Sequence, residues 1–246
     1  MFLGGLLSGT LVPLWAQSPV AAAFQAMAGG RDGEVKRLIS EAGVSPRAHN
    51  EAGESLLYLA LSRGNDELAV WLLQQGADPR GRNRHGAPYL LTAAANGLLR
   101  SVSYMLQQGA EVDAVFAHGD GQTPLFLAVD GGHEAVVRLL LDQGAAVNWR
   151  NGQGETVLFA AVSRRDRTMV ELLLRHGARV DVRSRSGYTP LHVAVGEGDA
   201  VLTKLLLQAG ADPRVEDGQG FDAFRLAELL GVQAVLEVLR GTGDAR

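Results

Sequence analysis

The sequence predicts an α-helical repeat solenoid, a single elongated unit of stacked helix pairs joined by polar loops. Two markers that run in step carry this prediction, and the composition permits it. The first marker is the stretch Gly187-Tyr188-Thr189-Pro190-Leu191-His192-Val193-Ala194, with degraded copies at Gly121 to Ala128, Gly154 to Ala161, Gly86 to Ala93, Gly53 to Ala60 and, faintly, Gly220 to Ala227. The second is an apolar run ending in Gly-Ala at Gly76, Gly109, Gly144, Gly177 and Gly210, with Gly43-Val44 as a weaker relative, so that successive glycines lie 33, 33, 35, 33 and 33 residues apart. A fixed period of this length is the signature of a repeat array, in which each unit buries its apolar face against its neighbours. With 46% hydrophobic and 20% charged residues the chain can build such a core.

Taken in order, the chain opens with Met1 to Ala16, which holds no charged side chain and is shorter than the roughly 20 residues that span a bilayer. Its length suits the apolar core of a signal peptide, with Ala16 as a cleavage position. It lacks a basic start, which leaves an apolar N-terminal extension as the alternative for residues 1–17. Export would make the mature chain periplasmic or secreted; otherwise it is cytoplasmic. Residues 18–52 read as an N-terminal capping repeat, whose first helix starts after Ser18, an N-cap residue followed by Pro19 in the first turn. Val35, Leu38 and Ile39 then give its second helix one apolar face, closed by Gly43.

Residues 53–219 read as central repeats within the single domain 18–246. Their second helices recur as Glu67 to Gln75, Leu99 to Gln108, Glu134 to Gln143, Thr168 to His176 and Ala200 to Ala209, each with an apolar face such as Val170, Leu173 and Leu174. In the first helices Thr189 or Thr123 caps, Pro190 or Pro124 fits the first turn, and Leu191 or Leu125 packs inward. Residues 220–240 lack the Thr-Pro step and read as the C-terminal cap, and 241–246 as a tail.

The period and the T-P-L-H element resemble the ankyrin-repeat family over roughly Ser18 to Arg240. The resemblance implies a helix-turn-helix solenoid with short β-hairpin loops, and a non-enzymatic protein-protein interaction module that binds through hairpin tips and a concave inner-helix face. It assigns His192 a structural role, hydrogen-bonded across a turn, and implies that this bond is lost where Tyr58, Leu91, Phe126, Phe159 or Arg225 replaces histidine. The family's variable loop positions fall on Arg82, Arg84 and His85, Val115 and Asp120, Arg150 and Gln153, Arg183, Arg185 and Tyr188, and Glu216, Gln219 and Phe221. Those of the inner helices fall on Ser62 and Arg63, Ala95 and Asn96, Asp130 and Gly131, Ser163 and Arg164, and Gly196 and Glu197.

Within that set the partner-binding candidates are Arg63, Arg82, Arg84, His85, Phe116, Trp149, Arg150, Arg164, Arg183, Arg185 and Tyr188. The arginines recur on adjacent tips of a chain whose formal net charge is -4, a local positive stripe suited to a partner with an acidic surface. The alternative is that they are simply solvated charges. Phe116 and Trp149 sit near loop tips with little core to enter, as binding anchors do, unless each folds back on a neighbouring loop. The loop Glu111 to Asp120 is two residues longer than the others, an inexpensive insertion of the kind that carries function.

Other chemistry is sparse. No phosphate-binding glycine loop, H-E-x-x-H or nucleophile elbow occurs, and the absence of cysteine removes disulfides and thiol chemistry. His49, His85 and His118 lie in successive loops but at different loop positions, which does not suit one tetrahedral zinc shell. The expectation is therefore a monomeric binder of another protein, with no cofactor, metal, nucleic-acid ligand or membrane insertion of the mature chain. By analogy it is a periplasmic protective or immunity-type binder; a general envelope scaffold or chaperone-like protein is the alternative, and an unrecognised enzyme the remote one.

Overall fold

The computed structural model describes residues 18–116 and 119–241. The expected signal segment 1–17, His118 and residues 242–246 of the tail lie outside them. Among the described residues are 14 helices in seven antiparallel pairs. They are Pro19–Ala28 (α1) with Asp32–Ser40 (α2), Leu56–Ser62 (α3) with Asp66–Gln74 (α4), Tyr89–Ala95 (α5) with Leu99–Gln107 (α6), and Pro124–Asp130 (α7) with Glu134–Asp142 (α8). Then follow Val157–Ser163 (α9) with Arg167–Arg175 (α10), Pro190–Gly196 (α11) with Ala200–Gln208 (α12), and Ala223–Leu230 (α13) with Gln233–Gly241 (α14).

Helices of seven to ten residues are too short to be stable alone in water, so caps and stacking hold them. Ser18, Ser55, Thr123, Thr189 and Asp222 each accept a backbone N–H from the first turn of their helix. Helix α6 follows Leu98, which has no capping side chain. Its free N–H groups at Arg100 and Ser101 bond instead to the carboxylate of Asp66 in the preceding repeat. First helices pack on neighbouring first helices and on their own second helices. Leu57, Leu61, Leu90, Leu125, Leu158 and Leu191 form a continuous buried row, and each such side chain contributes ~1.5–3 kcal/mol by burial.

The tight turn between the two helices of a pair needs a left-handed residue. Glycine fills it at positions 30, 64, 97, 132, 198 and 231, and Arg165 fills it with φ 56° between α9 and α10. A side chain there costs roughly 1–2 kcal/mol. Arg165 uses the exposed position to reach forward to the carbonyl and carboxylate of Glu197.

The hairpin character of the loops is reduced. Strand-type pairing among the described residues is limited to two isolated antiparallel bridges, His49 with Ser55 and Arg82 with Pro88. Elsewhere the loops are closed by single backbone bonds, from the N–H groups of Asn151, Ser184 and Asp217 to the carbonyls of Glu155, Tyr188 and Phe221.

Candidate functional site

Five loops turn on an Asn-x-x-Gly or related step, beginning at Asn50, Asn83, Asn151, Ser184 and Asp217. The Oδ1 atoms of Asn50, Asn83, Asn151 and Asp217 accept backbone N–H groups from two to four residues onward, a local turn that asparagine and aspartate favour. Ser184 holds this place in its loop, but its buried hydroxyl has no partner among the described residues. In the C-terminal half the tips are also bonded to one another. The N–H groups of Gly152, Arg185 and Gly218 donate to the carbonyls of Asp120, Gln153 and Ser186 in the preceding loops.

The tip arginines take part in the same construction. Arg150 donates from Nε to the Gly154 carbonyl of its own loop and from Nη2 to the Arg183 carbonyl of the next. Arg183 repeats the pattern with Gly187 and Glu216. Arg82 reaches only Gly86 in its own loop, while Arg84 bonds to Nε2 of His85 and lies 3.9 Å from Glu54. Among the first-helix candidates, Arg63 and Arg164 reach back to the Ala28 and Asp130 carbonyls at the ends of the preceding first helices. Asn96 and His133 do the same for Leu61 and Ala95. Four of the seven candidate arginines, Arg63, Arg150, Arg164 and Arg183, thus bond to carbonyls of a neighbouring repeat, a use that neither of the two alternatives read from the sequence described. Arg185 alone among the tip arginines has no side-chain partner among the described residues.

Trp149 remains 38% exposed, but its indole N–H donates to the Gly121 carbonyl at 2.9 Å, so the ring leans on the neighbouring loop. Phe116 is half-buried and lies over Gly119, where a Cβ would stand 2.9 Å from its ring. Tyr188 is half-buried, edge-on to His192. The histidine accepts at Nδ1 from the Thr189 N–H, so Nε2 donates to the Phe221 carbonyl of the last repeat. That bond is absent where histidine is replaced. Tyr58 instead stacks on Tyr89, whose hydroxyl meets Ser55 at 2.8 Å; burial pushes this phenol up.

The first-helix face opens into a groove of about 340 Å³ across α7, α9 and α11. Phe126, Phe159 and Ala160 form its buried floor, with Val193 half-buried beside them. Asp120, Asp130, Glu155, Gln122 and Gln153 form its polar rim. None of the eleven candidates lines it, and its charge is negative, opposite to the sign the arginine pattern suggests. The structure brings together Asp120, Asp130, Gln153 and Ser163 from the variable positions, and adds Gln122 and Glu155, which sit in the repeated motif and read there as scaffold. The sequence signal available was the change of residue type at one repeat position, Ser62, Ala95, Asp130, Ser163 and Gly196, which isolates the acid. A second groove, of about 910 Å³, lies behind the loops, where the C-terminal ends of α10 and α12 meet the chain from Arg179 to Arg183.

Among the described residues no group of three histidine, aspartate or glutamate side chains is placed to hold a metal ion, and no helix is long and apolar enough to cross a membrane. The clear carboxylate shifts are local. Hydrogen bonds from Arg37 and Lys36 lower Glu34 and Glu67, and burial raises Asp181.

Comparison with known families matches a model described as ankyrin repeats (3 copies) over residues 23–116, 90–184 and 125–217. Among solved structures the chain is similar to the ankyrin repeat domain of Bcl-3, described as a unique member of the IkappaB protein family. The identity is 27%, the TM-score 0.72, and the match covers 89% of this chain and 97% of that one. Comparison with curated protein sequences finds no match.

Proposed function

Because the chain belongs to the ankyrin-repeat family, whose repeats are protein-protein interaction modules, we propose that it is a non-enzymatic module that holds one specific protein along its first-helix face and loop tips. The observation that carries this reading is the groove over α7, α9 and α11. Three consecutive repeats supply its floor, and its rim carries Asp120, Asp130 and Glu155, none of them in an ion pair with a described cation. Carboxylates held on a laced scaffold need little reordering to bind, which favours affinity. Their sign favours a partner segment that brings lysine or arginine to the centre of the contact. The acidic partner surface suggested by the tip arginines then falls to the outer side of the loops.

Export, with the partner met in the periplasm as a protective or immunity-type contact, is part of the proposal. Removal of residues 1–17 would leave the Ser18 cap and everything after it in place. The test is affinity capture of the tagged chain from its native host, with intact-mass reading of the recovered chain, followed by titration of the captured partner. One stoichiometric partner whose affinity falls about tenfold or more with Asp130→Arg, on a chain beginning near Gln17, is the expected result. An affinity unchanged by both Asp130→Arg and Gln153→Ala would remove the groove from the contact, and a recovered chain retaining Met1 would remove export.

A further inference from the structure

The groove behind the loops lies on a different face from the one assigned above. Leu174, Ala178, Val180, Val182 and Ala209 give it an apolar floor, and Arg150, Arg179 and Arg183 stand around it. Two of these guanidinium groups are already fixed. Arg150 and Arg183 each spend Nε and Nη2 on loop carbonyls, leaving Nη1 of each without a protein partner among the described residues. Arg179 is exposed, and its guanidinium has no partner among the described residues. Only its backbone N–H is engaged, by Asn148. The carboxylate at the groove, Asp181, has one oxygen committed to the Asp212 N–H.

We infer that this outer groove is a second docking site, which takes a short polypeptide segment alternating apolar side chains with carboxylates. Three cations against one committed carboxylate set the charge of the ligand. The apolar floor and the overall charge of -4 favour an acidic peptide over a polyanion such as nucleic acid. Arginines held by backbone carbonyls lose little side-chain freedom when a carboxylate arrives, and a charge-assisted bond to a positioned guanidinium is correspondingly favoured. The inference rests on the proposed function in that the ligand is a polypeptide, and it gives the acidic surface placed there on the outer side of the loops a defined groove. Asp130 tests that reading and Arg179 tests this one, so either can fail alone.

The experiment is a nuclear magnetic resonance titration of the full chain with a capped peptide of alternating leucine and glutamate, alongside its leucine-glutamine analogue. The acidic peptide is expected to shift the amide signals of Arg179 to Arg183. The glutamine analogue and the Arg179→Ala protein should each bind about tenfold more weakly, the scale of one charge-assisted contact. Arg179 contributes no side-chain bond to the fold, so its removal leaves the scaffold intact. Equal binding of the two peptides, shifts confined to the Asp130 groove, or no shift at millimolar acidic peptide would overturn the inference.

Discussion

From Asp120 to Gly218 each loop tip is bonded to the one before it through backbone N–H and C=O groups; Trp149 bridges the first of these three junctions with its side chain, and Arg150 and Arg183 the other two. Between Asn50 and His85 the neighbouring tips meet only through side chains. Arg84 lies near Glu54, and beneath them Tyr58 stacks on Tyr89 while Ser55 bonds to its hydroxyl. One 33-residue unit therefore meets its neighbour in two ways. The close, backbone-bonded approach has Gly152, Arg185 and Gly218 at the second tip position, so it does not require glycine there. The looser approach occurs where Glu51 and Arg84 stand there. The changeover falls at the loop Glu111 to Asp120, whose Gly119 N–H turns back to Phe116 in its own loop. That loop carries the two-residue insertion and lies between a C-terminal half tied tip to tip, which holds both grooves, and an N-terminal half whose described tips meet through side chains.

Glycine substitutions test this contrast with the largest expected effect. Gly187 and Gly86 occupy the same repeat position with φ of 81° and 86°, so alanine meets the same backbone penalty at each. Their surroundings differ. A Cβ on Gly187 would collide with the backbone N of Gly218, and one on Gly86 would meet open space. Gly86→Ala should cost about 1–2 kcal/mol from conformation alone, and Gly187→Ala a further 1–3 kcal/mol, roughly, because the next loop must move. Urea unfolding of both variants reads the difference directly. Equal midpoints would mean that the tips of the C-terminal half are no closer than those of the N-terminal half.

The arginines give a smaller contrast. Arg183→Ala removes bonds to two loops and should cost about 1 kcal/mol, whereas Arg82→Ala removes one bond within its own loop and should stay within about 0.5 kcal/mol. The pair also marks how far the sequence was legible. The period, the seven helix pairs and the caps follow from residue types at fixed spacing, and the role of His192, which reaches the Phe221 carbonyl of the next repeat, follows from the family resemblance. The arginine stripe has the same spacing in the sequence whether it binds a partner or ties loops together. The tying depends on which carbonyls face the guanidinium, and those that Arg183 reaches lie in different repeats. The Asp130 groove was hidden for a related reason, since its rim combines two loops with a first helix, and Gln122 and Glu155 look like ordinary motif residues until those elements meet.

The slot that follows the Gly-Ala marker sharpens the contrast with the smallest effect. In the N-terminal half it holds Arg47 and Arg80, which donate to the carbonyls of Gly76 and Gln108 in the next repeat. In the next three repeats it holds acceptors, of which Asn148 also donates from Nδ2 to the Gly177 carbonyl, and Arg214 holds the last slot. Asp113, Asn148 and Asp181 take the N–H groups of Ala146, Arg179 and Asp212. Asn148 shows that the slot needs an acceptor and no charge, and at Asp181 burial raises the carboxyl above its ordinary value, with the backbone bond from Asp212 opposing. A group raised in the folded state favours folding most when protonated, below its unfolded pKa, and that contribution is lost as the pH rises through the folded value. Asp181→Asn keeps the acceptor and removes the titration. The variant should match the parent in acid and become more stable than it above the carboxylate range, by less than about 0.5 kcal/mol for so exposed a group. Unfolding midpoints measured at both ends of that range decide it. A variant less stable than the parent at neutral pH would mean that the charge of Asp181, and not merely its lone pair, ties the last two loops together.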